Sequence, residues 1–266
     1  MPRGAKLMVL DALRLSFGTL TAIPVPPPAR IDRRVSGWAM ALAPVTQIPA
    51  VMVLLLWGWV VRSAPVPPLL AAAITLVALT LATRGMHLDG LADTADGLSA
   101  SYDREKSLDV MRRGNIGPSG VASLSLVLLV DAAALSSLLT TGPGVVLTCL
   151  SLIASRHLLA WACSAGVPSA RTEGLGATVA GSVPPVITGM GFVLLLLISA
   201  LMAQWSGLPV WAGPGAMLAA ALGGVAVIAR ATSRFGGITG DVLGAVIEVS
   251  LAVALSTSAL LLAVTS

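Results

Sequence analysis

Long apolar runs separated by shorter polar stretches organise this chain. Near 38–61, 66–83, 117–139, 144–164, 185–205, 210–229 and 242–264 the sequence stays apolar. Each run approaches the roughly 20 residues that a helix needs to cross a hydrocarbon layer. Backbone groups inside such a layer must be paired within the segment, so runs of this length predict helices and not open strands. The expected fold class is all-α, a polytopic transmembrane helix bundle of about seven spans in a single integral-membrane domain over 1–266. Pro44 and Pro49 fall in the first run and predict a kink there. Residues 1–36 read as an amphipathic N-terminal segment: Asp11 and Arg14 interrupt the apolar pattern of 7–23, which ends at Ile23-Pro24. That pattern fits either a helix on the membrane surface or one packed against the bundle.

The polar stretches alternate in length. Those at 63–65, 140–143 and 206–208 are short and nearly uncharged, whereas 84–116, 165–184 and 230–241 hold most of the charge. With the N-terminus in the cytoplasm and the C-terminus outside, only Arg62 of the 16 Lys and Arg lies outside. So uneven a distribution is the positive-inside rule, and it orients the expected bundle. Trp57 and Trp59 close the first run, and Trp205 and Trp211 flank a short outer turn, as interfacial aromatics do.

Composition agrees and removes one alternative. The chain is 56% apolar and 11% charged, with a mean hydropathy of +0.92, where an ordinary soluble domain is about 25% charged. The net charge of +4 follows from topology and from phosphate binding, so no nucleic-acid surface is expected. Cys149 and Cys163 fall in one apolar run and predict neither a disulfide framework nor a metal site.

The stretch 84–116, expected as a cytoplasmic loop, holds the most concentrated chemistry. It contains His87-Leu-Asp89-Gly-Leu-Ala-Asp93-Thr-Ala-Asp96-Gly97. At helical pitch Asp89, Asp93 and Asp96 stand at i, i+4 and i+7 and share a face. Three carboxylates so placed repel one another unless a cation sits among them. Oxygen ligands beside a substrate phosphate suit Mg²⁺. The triad is therefore the candidate metal and catalytic site, with two Mg²⁺ ions, or one ion and one substrate-binding carboxylate.

Other positions are candidates for substrate binding. His87 fits a base, a phosphate ligand or a structural interfacial histidine. Asp103–Arg113 reads as a charged helix with i, i+4 pairs, followed by a Gly-rich turn in which Arg112, Arg113 and Asn115 could hold a phosphate or simply be solvated. Arg156, late in an apolar run, needs an anion. Arg171 lies in a Gly-rich loop, Asp241 opens the last run, and Glu248 follows two turns later on the same face. An intramembrane Glu is a functional candidate, or an internal partner of Arg156 or Arg230. Asp131, alone in mid-run, suggests helix–helix hydrogen bonding.

The acidic run resembles the signature of the adenosylcobinamide-GDP ribazoletransferase, or cobalamin synthase, family. Leu15-Ser-Phe17 with Pro24-Val-Pro26, Ser155-Arg156, Ala170-Arg171 with Glu173-Gly-Leu-Gly176, and Gly237 to Glu248 match in order along the chain. The chain departs from many members at Arg113-Gly-Asn115 and at Ala22. The resemblance implies a Mg²⁺-dependent membrane transferase of late cobalamin (vitamin B12) assembly, at the cytoplasmic side of a bacterial plasma membrane. It would join adenosylcobinamide-GDP to α-ribazole or α-ribazole 5′-phosphate and release GMP. Asp89, Asp93 and Asp96 then match the presumed metal ligands, and Arg156, Arg171 and Asp241 match nucleotide- or phosphate-binding positions. Expected partners include the bilayer, a second copy of the chain and other cobalamin-assembly enzymes.

Two rivals were weighed. A CDP-alcohol phosphotransferase shares the start of the acidic run, but needs Arg where Asp93 stands and a later Gly-x-x-x-Asp-x-x-x-Asp that this chain lacks. An ion-coupled transporter would need polar groups reaching both faces, and the short outer segments have almost none.

Overall fold

The computed structural model describes residues 3–265; Met1 and Pro2 of the expected N-terminal segment, and Ser266, lie outside the described residues. The described residues form helices and no strands, with isolated bridges only at Ser164–Val183 and Ser169–Ile238. Chain order runs α1 (Arg3–Leu20), α2 (Arg33–Ala41), a 3-10 turn (Ala43–Gln47), α3 (Ile48–Ser63) and α4 (Pro68–Ala82). There follow α5 (Met86–Ala100), α6 (Arg104–Val110), α7 (Pro118–Leu138), α8 (Gly142–Ala162) and α9 (Leu175–Val179). The chain ends with α10 (Pro185–Trp205), α11 (Ala212–Phe235) and α12 (Gly240–Thr265).

Six segments are long and apolar enough to cross a membrane: Ala43–Ser63, α7, α8, α10, α11 and α12. The bent pair α4–α5 would make a seventh. Two expectations need correction here. The run 38–61 is not one kinked span. α2 ends at Ala41, and the crossing segment begins at Ala43, because Pro44 and Pro49 occupy the first positions of the 3-10 turn and of α3, where a missing N–H is no loss. The stretch 84–116 is not a loop. After only 15 residues α4 stops and the chain turns by 89° into α5. Arg84 (φ 57°) and Gly85 (φ 69°) make this turn in the left-handed region, which glycine enters without strain.

α1 packs onto the fold, with Met8, Ala12 and Leu20 in the core beside Val35, Ala39 and Met40 of α2. Asp11, on the same side, accepts the backbone N–H of Ala29 at 2.9 Å, so the packed alternative for this helix holds. Its other side still presents Leu7 and Leu10 outward. In the membrane-length window of α8, 83% of the residues are buried, against 17% in α10. α8 is thus a central post, while α10 shows Leu194, Leu197 and Leu201 to its surroundings. Without an apolar-effect gradient between helices in lipid, close packing of small residues holds such a bundle together. Gly213 of α11 against Ser199 of α10, and Gly224 against Leu158 of α8, are such contacts.

Candidate active site

The acidic helix α5 is seated on α12 by two glycines. A Cβ at Gly90 would stand 2.6 Å from the Asp241 carbonyl oxygen, and one at Gly244 would stand 2.9 Å from that of His87. No side chain could separate the two backbones there. The crossing sets the start of α5 two turns inside α12, beside Glu248, and brings its later residues level with Asp241 and with Gly117 at the start of α7. With α4 as the crossing arm of the bent pair, α5 turns 89° from it and from Asp89 onward runs across the end of the bundle, where α12 and α7 begin.

The three aspartates separate in environment. Asp89 is exposed, Asp93 is half-buried and Asp96 is buried. Asp93 has Asp89, Asp241 and Asp96 as electrostatic neighbours and Arg171 as the opposing cation. Partial burial first, and then these carboxylates, push the Asp93 carboxyl up to about 6. Asp241 joins the group from α12, with its Oδ2 3.7 Å from Arg171 Nη1 and accepting the Thr239 hydroxyl at 3.1 Å.

Asp96, further along the same side, is engaged by α7. Its Oδ2 accepts the N–H of Gly117 at 2.6 Å and its Oδ1 that of Gly120 at 2.8 Å. It caps the first turn of α7, satisfying donors that a helix start leaves unpaired. Gly117 and Gly120 allow this approach, since a Cβ at Gly117 would meet Oδ1 at 2.5 Å.

A ring of arginines holds the surrounding loops by their carbonyls. Arg104 donates to Ala170 and Arg171 to Leu108, each at 3.0 Å. Arg234 donates to the Ser101 carbonyl, its guanidinium 4.5 Å over the Tyr102 ring. Asp103 caps α6 through Lys106 N, and Arg113 pairs with Asp109 at 2.5 Å as the i, i+4 spacing predicted. Arg112 and Asn115 are exposed on the turn after α6.

Below the mouth lies a second polar group. His87 Nδ1 is 3.8 Å from Glu248 Oε1 and 3.4 Å from Arg156 Nη2, and all three residues are buried. Asp131 of α7 faces the same cavity of about 20 Å³ as Arg156 and Glu248. Sequence periodicity could place each of these on a helix but not reveal that four helices, α5, α7, α8 and α12, turn them toward one another. Thus the structure brings Asp89, Asp93, Asp241 and Arg171 together, and separately His87, Arg156, Glu248 and Asp131. Asp241 in the first group and Asp131 in the second were not foreseen as neighbours of their clusters.

Among the described residues no three His, Cys, Asp or Glu side chains converge into one ready-made metal cage. A divalent ion held by one or two carboxylates with substrate phosphates needs no such cage. Asp89 and Asp93, with Asp241 across the cleft, offer such donors; both oxygens of Asp96 are engaged by α7.

Fold and site together define a polytopic helical membrane protein with a carboxylate-rich cleft at one end of its bundle. The profile of the cobalamin-5-phosphate synthase family matches residues 12–259, and the chain belongs to that family. A relative from a Nocardioides species, named adenosylcobinamide-GDP ribazoletransferase, is 41% identical over 92% of this chain and 96% of its own. One from Frankia casuarinae with the same name is 36% identical over 93% and 94%, and one from Rhizobium etli 32% over 90% and 94%. No solved structure matches the chain.

Proposed function

We propose that this chain joins adenosylcobinamide-GDP to α-ribazole or α-ribazole 5′-phosphate and releases GMP, completing the nucleotide loop of a cobalamin. The observation that carries this reading is the cluster in which Asp93 has Asp89 and Asp241 as neighbours and a single arginine, Arg171, as the opposing charge. Such a cluster attracts cations and, with them, a diphosphate. Full-length similarity to relatives that bear the transferase name supports it.

In the reaction a ribazole hydroxyl oxygen bonds to the phosphorus next to the corrinoid, and the bond from that phosphorus to GMP breaks. The hydroxyl proton must leave as the new ester forms. Asp93, central among the acids, is our assignment for accepting it. Mg²⁺ held by Asp89 and Asp93, with Asp241 opposite, would supply charge neutralisation at the phosphate oxygens. Arg171, anchored to Leu108, keeps Asp241 in place and adds a fixed positive charge beside the leaving group. The Lys and Arg distribution supports a multi-pass protein of the bacterial plasma membrane with this cleft on the cytoplasmic side.

The test is GMP release by purified protein in lipid, from adenosylcobinamide-GDP and α-ribazole, with Mg²⁺ or with a chelator. Release that needs both substrates and the ion supports the reading. No release at any divalent ion concentration overturns it.

A further inference from the structure

A cavity of about 550 Å³ opens between α3, α4 and the segment that follows α1. Ala50 and Trp57 of α3 and Ile74 and Ala78 of α4 form its apolar walls, and Ile74 stands at an exposed edge. The cavity also meets two buried polar side chains, Gln47 and Arg156, which are 3% and 2% exposed. Gln47 donates to Thr46 Oγ1 at 3.2 Å, while Arg156 Nε is buried with no hydrogen-bond partner among the described residues. Its Nη1 donates to Ser155 Oγ at 2.9 Å, so Arg156 meets the cavity as a held polar group.

We propose that this cavity seats the heteroaromatic base of the ribazole substrate, an inference that rests on the reaction proposed above. Its size lies in the range of small-molecule pockets, about 300–1,000 Å³. Four aromatic or macrocyclic parts of the two substrates compete for it, and physical chemistry separates them. A corrin with its amide arms is too large to be enclosed. Guanine, and the adenine of the adenosyl group, carry donors and acceptors around their edges, and mostly apolar walls would strip them of partners. A benzimidazole has an apolar fused ring and, once joined to ribose, one bare ring nitrogen that accepts a hydrogen bond. Apolar walls with a tryptophan, and the polar side chains of Gln47 and Arg156, match that pattern. A lipid acyl chain would fit the walls but would leave Arg156 and Gln47 facing hydrocarbon.

The position suits the chemistry as well. Arg156 Nη2 lies 3.4 Å from His87 Nδ1, and His87 sits in the first turn of the helix that carries Asp89 and Asp93. The other end of the cavity is closed by the segment after α1, tied to α4 by Ala22 N–H donating to the Ala82 carbonyl at 2.7 Å. A base held here lies beside Arg156, which meets the first turn of α5, the helix bearing Asp89 and Asp93.

The experiment fills the cavity from its two walls, with Ala50→Trp and Ala78→Trp, in protein reconstituted in lipid nanodiscs. Equilibrium binding of α-ribazole is measured alongside KM for each substrate, with thermal unfolding as the check on folding. Expected is a rise of about tenfold or more in Kd and KM for α-ribazole, in both variants, with KM for adenosylcobinamide-GDP unchanged. Unchanged α-ribazole binding in either folded variant would overturn the assignment and make the cavity a lipid site. A rise confined to the corrinoid KM would overturn it in favour of that substrate. Wild-type protein that binds no α-ribazole also overturns it. Binding that the tryptophans abolish, in a protein that releases no GMP, would uphold the subsite and overturn the reaction.

Discussion

Asp96 Oδ1 holds the backbone N–H of Gly120 at 2.8 Å, tying the acidic helix to the start of α7 across 24 residues of chain. With Gly117 on the other oxygen, this carboxylate is a helix cap from outside the helix. Asp96→Ala therefore lowers stability by about 0.5–2 kcal/mol, the usual range for a lost cap. Asp96→Asn, which keeps an acceptor, loses less. Thermal unfolding in detergent measures both, and a wild-type melting temperature for Asp96→Ala would contradict the capping role.

Gly90→Ala places a methyl 2.6 Å from the Asp241 carbonyl oxygen. The two helices must separate, at a cost of about 1–3 kcal/mol for overpacking. Asp241 moves away from Asp93, and GMP release should fall by about a hundredfold, the penalty of misplacing groups by an ångström. Steady-state rates of the folded variant check this.

The raised value at Asp93 gives the metal-free protein a pH dependence. The folded state holds this proton more tightly than the unfolded chain. Its contribution to stability is complete below the ordinary value of 3.8 and is lost as pH rises through about 6. Metal-free protein should consequently melt at a lower temperature above about pH 6 than below it. Asp93→Asn flattens that part of the profile. Melting curves in the presence of chelator decide it, and an identical pH profile in the variant would count against the crowded-carboxylate account.

Arg171 competes with any cation for Asp241, at 3.7 Å. Replacing it by Gln should lower the Mg²⁺ concentration that half-saturates the enzyme while also lowering the maximal rate. A Mg²⁺ titration of GMP release reads both numbers. A higher half-saturating concentration would mean that Arg171 does not oppose the ion.

The proposed membrane orientation rests on the Lys and Arg distribution and can be tested by labelling. A cysteine at Ser63, beside Arg62, should react with an impermeant maleimide added outside intact cells. One at Ser101, beside the acidic helix, should react only after lysis. The reverse pattern would invert the topology.

Much of the bundle was legible because hydropathy reports length directly: the five crossing helices from α7 to α12 fall within a few residues of their apolar runs. The end of the second run at residue 83 was legible too, but the 89° turn there was not, since Arg84 in a left-handed conformation leaves no mark in a sequence. Periodicity correctly grouped Asp89, Asp93 and Asp96 on one side of a helix. It could not show that α7 begins against the last of them, because Gly117 and Gly120 lie 21 and 24 residues away. Asp131 and Glu248 illustrate the same limit. Each is visibly anomalous in an apolar run, but their shared cavity depends on how α7 and α12 are rotated.

Two helices, α7 and α12, begin at the acidic cleft, with Gly117 and Asp241 in their opening residues. Each peptide array ends there with its partial positive charge, roughly half an elementary charge per helix. The backbone itself thus offsets part of the carboxylate repulsion before any ion arrives. A carboxylate cluster built this way can stay folded without an ion, as the proposed joint binding and release of cation and diphosphate would require between turnovers.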